Sequence, residues 1–104
     1  RVLFRSNQIK ELLEINSKCS SLFDDIKNSF SLANFKELKS IIKRKNKLID
    51  FLNEKIDIQV SRTKNEESSP KNTTLYFSLL IETKEMIKNT IILLKLYDDS
   101  LKNK

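Results

Sequence analysis

The chain of 104 residues has no glycine, no histidine and no tryptophan, and it has one proline and one cysteine. Each absence closes a class of function. Without glycine there is no phosphate-cradling loop, whose backbone needs the conformations that glycine tolerates. Without histidine, and with Cys19 alone, the chain lacks a ligand set for zinc and cannot form an intrachain disulfide. No side chain with an ordinary pKa near neutrality is present for acid–base work. The longest apolar run, Ile91-Ile92-Leu93-Leu94, is far short of the roughly 20 residues that span a bilayer.

Lysine and arginine number 20 against 14 acidic residues, a net charge of +6. Part of that excess sits at the start, in Arg-Val-Leu-Phe-Arg-Ser, which matches the frame translation of a common sequencing-adapter end. Residues 1–6 are therefore expected to be a foreign scar without an evolved packing partner. Residues 7–104 are then one helical domain, a C-terminal fragment of a longer protein. Without Arg1 and Arg5 the charge falls from +6 to +4, a mild attraction for acidic surfaces.

What is present is helical periodicity. Ile9, Leu12, Leu13, Cys19, Leu22, Phe23, Ile26 and Phe30 recur at steps of three and four, the one-sided pattern of an amphipathic helix. Residues 29–34 interrupt it, with Ser31 or Asn34 as cap for a second helix from about Phe35 to about Thr63. That helix carries Leu38, Ile41, Ile42, Leu48, Ile49, Leu52, Ile56 and Val60 inward, with Lys45 a weak point on the stripe. The polar break Lys64 to Pro70 ends in a start signal, Ser69 as N-cap with Pro70 at the first helical position. The third helix runs to about Leu101. Its apolar doublets Leu79-Leu80, Met86-Ile87 and Leu93-Leu94 are wider than a two-stranded seam and predict packing against two neighbours. Tyr76, Thr83, Thr90 and Tyr97 make a second line beside them. Short connections between long helices predict an all-α fold, an elongated antiparallel three-helix bundle.

No catalytic constellation emerges. The pairs Asp24-Asp25, Glu66-Glu67 and Asp98-Asp99 read as solvated helix surface, because adjacent carboxylates point to different faces. The strongest charge feature is Lys36, Lys39, Lys43, Arg44 and Lys47, a basic patch for a partner or for anionic lipid headgroups. No aromatic residues alternate with these lysines to stack bases, so nucleic acid is not the expected ligand.

The stretch Asn34-Phe35-Lys36-Glu37-Leu38 leading into Leu48-Ile49-Asp50-Phe51-Leu52 is similar to the second helix of the PhoU repeat. Leu80-Ile81-Glu82-Thr83-Lys84-Glu85-Met86-Ile87 is similar to its third. Leu75 through Tyr97 resembles most the PhoU-like tails of bacterial sodium/phosphate cotransporters. PhoU proteins hold metal clusters through an acidic residue followed four later by aspartate. The matching pairs here are Asn46 with Asp50 and Glu85 with Asn89, each short of one carboxylate, so no metal and no cofactor is expected.

The resemblance implies a regulatory or assembly domain of a sodium-dependent phosphate symporter, not an enzyme, at the cytoplasmic face of the bacterial inner membrane. Its implied partners are the transmembrane portion of the same parent, the anionic membrane surface and a second copy through helix contacts. The alternative is a free PhoU-like adaptor regulating phosphate uptake. Further off stands a basic nucleic-acid-binding bundle.

Overall fold

The computed structural model describes residues 4–65 and 69–103. Three helices follow one another: α1 (Ser6–Leu32), α2 (Leu38–Lys64) and α3 (Pro70–Lys102). Glu11 meets Tyr76 near one end and Phe30 meets Tyr97 near the other, so α1 and α3 run parallel. Helix α2 runs against both, with Arg62 at the Glu11 end and Arg44 beside Asp25 further along. The bundle is 56 × 23 × 19 Å, close to the length of α3 itself at 1.5 Å per residue. This is the elongated three-helix bundle that the periodicity predicts.

The core draws on most steps of the stripes and adds Ile15 and Ile91, which lie off them. Ile15, Cys19, Leu22 and Ile26 of α1 meet Ile41, Leu48 and Leu52 of α2 and Tyr76, Leu80, Ile87, Ile91 and Leu94 of α3. Cys19 is a free, buried thiol, and burial pushes its pKa up. The stripes are narrower than the sequence suggests. Ile9, Leu13 and Val60, read as inward, are exposed. The doublets divide sharply: Leu80, Ile87 and Leu94 are at most 1% exposed, whereas Leu79, Met86 and Leu93 are 40, 50 and 59% exposed. Successive residues on a helix lie about 100° apart, so a single groove between α1 and α2 takes only one member of each pair.

The connections show how a chain without glycine stops a helix. Ala33 ends α1 in the left-handed conformation (φ 49°, ψ 37°), and the Ala33 and Asn34 amides donate to the Phe30 and Ser29 carbonyls. An L-residue with a Cβ is disfavoured there relative to glycine. Helix α2 starts at Leu38 rather than Phe35, and neither Ser31 nor Asn34 caps it; Glu37 stands at the N-cap without a side-chain bond. Asn34 Oδ1 instead accepts from the Lys36 amide at 3.1 Å, a local turn that delays the helix. The start of α3 follows the sequence reading: Ser69 Oγ accepts from the Asn72 amide at 3.1 Å, and Pro70 occupies the first turn.

Phe4 belongs to the hexapeptide expected to lack partners, yet it packs on the core with its ring edge toward Tyr76 at 5.8 Å. The Arg5 amide donates to Gln8 Oε1 at 2.9 Å, tying off the first turn of α1. Residues 1–3 of that hexapeptide lie outside the described residues, as do Glu66, Glu67 and Lys104.

Candidate functional site

Three surfaces stand out among the described residues beyond the apolar core. The first is a buried polar layer where the N-terminal ends of α1 and α3 meet the C-terminal end of α2. The Gln8 side-chain amide donates to Gln59 Oε1 at 3.1 Å and to Asn72 Oδ1 at 2.8 Å, while Asn72 donates back to Gln8 Oε1 at 3.0 Å. Gln59 also reaches Thr73 Oγ1 at 3.4 Å. Beside these, the Arg62 guanidinium grips Glu11 with two parallel bonds of 2.9 and 2.8 Å, and Tyr76 Oη donates to Glu11 Oε1 at 2.7 Å. Among the described residues, no buried side-chain nitrogen or oxygen lacks a hydrogen-bond partner.

That satisfaction is what makes the layer tolerable, since each buried polar group left unpaired costs about 1–3 kcal/mol. The electrostatics follow. Burial works to raise the Glu11 pKa, but hydrogen bonds from Arg62 and Tyr76, with the charges of Arg62 and Lys55, hold it below its ordinary 4.5. The bond to Glu11 raises Arg62 further above its ordinary value, against the opposing effect of burial. Burial, then the Glu11 carboxylate, raises the Tyr76 phenol. Each shift favours the form its group ordinarily holds at neutral pH, and the bonds tie α1, α2 and α3 together at this level. Sequence periodicity could have found this layer: Gln8 and Glu11 continue the stripe of Ile15 and Leu22, and Gln59 and Arg62 continue that of Leu48 and Leu52.

The second surface is the basic patch, which the structure divides. Lys36, Lys39, Lys43 and Lys47 are exposed, and none is in an ion pair with a carboxylate among the described residues. Arg44 differs: half-buried, it pairs with Asp25 of α1 and donates to Ser21 Oγ at 3.0 Å. Arg44 and Lys47 share a groove between α1 and α2 with Lys18, whereas Lys36, Lys39 and Lys43 lie outside it. The acidic doublets are not uniformly solvated either. Asp98 is buried and pairs with Lys102 at 3.0 Å.

The third surface is the outer face of α3. Leu75, Leu79, Met86, Leu93 and Leu96 are exposed and follow one another at coiled-coil steps. Glu82 and Asn89 fill the remaining places along that line. Thr83 and Thr90, beside it, turn their hydroxyls back to the Leu79 and Met86 carbonyls. Tyr97 closes the far end between Phe30 and Phe35, with ring centroids at 5.3 and 5.5 Å. Ile9 and Leu13 of the parallel helix α1 add exposed apolar surface near the Tyr76 end.

The degenerate PhoU-like positions Asn46, Asp50, Glu85 and Asn89 are all exposed, and Glu85 lies 3.8 Å from Lys88. Among the described residues, no three side chains of the cysteine, aspartate and glutamate types gather to hold a metal. Nor is any helix long and apolar enough to cross a membrane. No family model matches the chain, and neither do the curated proteins or the solved structures with which it was compared.

Proposed function

We propose that this chain is a non-catalytic interaction module that docks one amphipathic helix of a partner along the outer face of α3. The observation that carries the reading is the exposed line Leu75, Leu79, Met86, Leu93 and Leu96. An exposed apolar line on a folded domain, here interrupted by Glu82 and Asn89, is read as an interaction site, and coiled-coil spacing selects a helix as the occupant. Glu82 sits in the middle of that line. A parallel pairing with a second copy would set Glu82 against its own equivalent, which disfavours that arrangement; the partner proposed is a helix with a basic residue at that level. The bundle supplies the rigid backing, because α3 holds its other face through Tyr76, Leu80, Ile87, Ile91 and Leu94.

A finer form of the proposal follows the PhoU resemblance: a regulatory or assembly domain attached to a sodium-dependent phosphate symporter, with its partner helix in the membrane-bound part of the same parent. Three antiparallel helices in the expected order support it, together with the stretches 34–38, 48–52 and 80–87. The uninterrupted upstream reading frame separates its versions: several hydrophobic segments of about 20 residues favour the transporter, and a second three-helix unit favours a free adaptor.

The docking proposal itself is tested with Leu79→Glu/Leu93→Glu. Both positions lie outside the core, so the variant keeps its circular-dichroism spectrum and melting temperature while it no longer co-purifies with the helical partner that the native chain retains. Unchanged co-purification sinks the proposal.

A further inference from the structure

We infer that the groove between α1 and α2 is a binding site for a phosphate monoester carried on an apolar body. It is a surface separate from the α3 face, and the inference does not depend on the docking proposal. The groove encloses ≈ 430 Å³ and is lined by Ser17, Lys18, Ser21, Arg44, Lys47 and Phe51 over Leu22 and Leu48. That volume falls in the range of small-molecule sites, about 300–1,000 Å³. Three cations and two hydroxyls line it, and no carboxylate does.

The lining is built rather than merely basic. The Lys18 ammonium lies over the Phe51 ring at 5.0 Å from its centroid, with Lys55 at 4.8 Å from the same ring. That contact holds the Lys18 charge at the groove wall without neutralising it. Neither Lys18 nor Lys47 pairs with a carboxylate among the described residues. Arg44 is anchored by Asp25, and through its second nitrogen it donates to Ser21 Oγ. A hydroxyl that accepts from a guanidinium keeps its own hydrogen to donate, so Ser21 presents an O–H toward an anion.

The ligand class follows from these parts. A dianionic phosphate monoester satisfies two free ammonium groups and a hydroxyl donor better than a singly charged carboxylate does. Leu22, Leu48 and the half-buried Phe51 give the floor an apolar strip with no role for a bare inorganic ion. The head is placed between Lys18 and Lys47, and the apolar body over the strip that Leu22 and Leu48 form with Phe51. A lipid headgroup and a soluble phosphorylated amphiphile share this chemistry.

The test is a titration of the whole chain with dihexanoyl phosphatidic acid, followed by amide chemical shifts. Expected are shifts confined to residues 17–22, 44–51 and their contacts, with affinity for inorganic phosphate weaker by about tenfold or more. Lys18→Glu/Lys47→Glu should lower affinity on the order of tenfold or more, because each lysine near a phosphate surface matters several-fold. Lys36→Glu/Lys39→Glu carries the same charge change outside the groove and should alter affinity less than about threefold. Phosphatidylcholine vesicles with and without phosphatidic acid then separate the sources. Sedimentation with the anionic vesicles alone, lost in Lys18→Glu/Lys47→Glu, supports a lipid ligand. Binding of the short-chain probe without vesicle binding supports a soluble one. Equal losses in the two double variants, inorganic phosphate bound as well as the amphiphile, or no binding of either probe would overturn the assignment.

Discussion

Arg62→Met is the perturbation that bears hardest on the buried polar layer. Arg62 and Glu11 have side chains only 9 and 12% exposed, and both prongs of the guanidinium fork are used. Methionine keeps the length of the side chain and removes the charge. It leaves the Glu11 carboxylate buried with the Tyr76 hydroxyl as its remaining direct donor, and it strips Gln59 Oε1 of a 3.1 Å bond from Arg62. Breaking a buried pair from one side typically costs about 3–5 kcal/mol. Since a domain of this size loses about 4–8 °C per kcal/mol, its melting temperature should fall on the order of 20 °C. Removing both charges in Glu11→Leu/Arg62→Met should recover much of that loss, because no unpaired charge then remains.

The pH dependence checks the same group independently. The folded-state pKa of Glu11 lies below its ordinary 4.5, so its ionised form stabilises the fold. That contribution is complete above the unfolded value and is lost as pH falls through the lower folded one. Urea unfolding between neutral pH and the acid side of the carboxylate range should show it in the native chain and miss it in Glu11→Gln. An Arg62→Met chain that stays within about 1 kcal/mol of the native one would refute the reasoning, since that is the scale of an exposed pair.

Other substitutions have distinct expected outcomes. Leu80→Ala should cost about 2–5 kcal/mol in chemical denaturation while its neighbour Leu79→Ala costs under about 0.5, because only Leu80 faces the core. Ala33→Gly should raise stability by about 1 kcal/mol, since the left-handed cap no longer holds a Cβ; a drop in melting temperature would count against that conformation. Ser69→Ala should cost about 0.5–2 kcal/mol through the lost bond to the Asn72 amide, read as earlier melting with unchanged helical content.

Much of the fold can be read in the sequence, and the reasons differ between its parts. The start of α3 is legible because Ser69 and Pro70 carry a local signal independent of tertiary context. The end of α1 falls within the expected break at residues 29–34, but its capping residue is not legible, because a chain without glycine places Ala33 where the usual marker would stand. Periodicity locates the stripes but not their width or exact facing, so Leu13 is read onto the stripe of α1 while the buried Ile15 is left off it, and Leu79 reads like Leu80 until the neighbouring helices are in place. Gln8, Glu11, Gln59 and Arg62 escape notice for the opposite reason. They occupy core positions with polar side chains, and their mutual bonds span 51 residues of chain. The basic patch shows the same limit: spacing puts Arg44 with the lysines of α2, whereas Lys18, which completes the groove, comes from another helix.

On the docking proposal, the outer face of α3 exists for a partner and not for the fold. Photocrosslinking from a benzoylphenylalanine placed at Met86, in cells of the native source, tests it most directly. Met86 is half exposed and sits mid-way along the apolar line. Expected is a single major product, joined to a helical segment with its own apolar line and a basic residue level with Glu82. The same probe at Lys43, on the exposed basic face of α2, should not give that product. No adduct at position 86, or the same adducts from both positions, would contradict the claim.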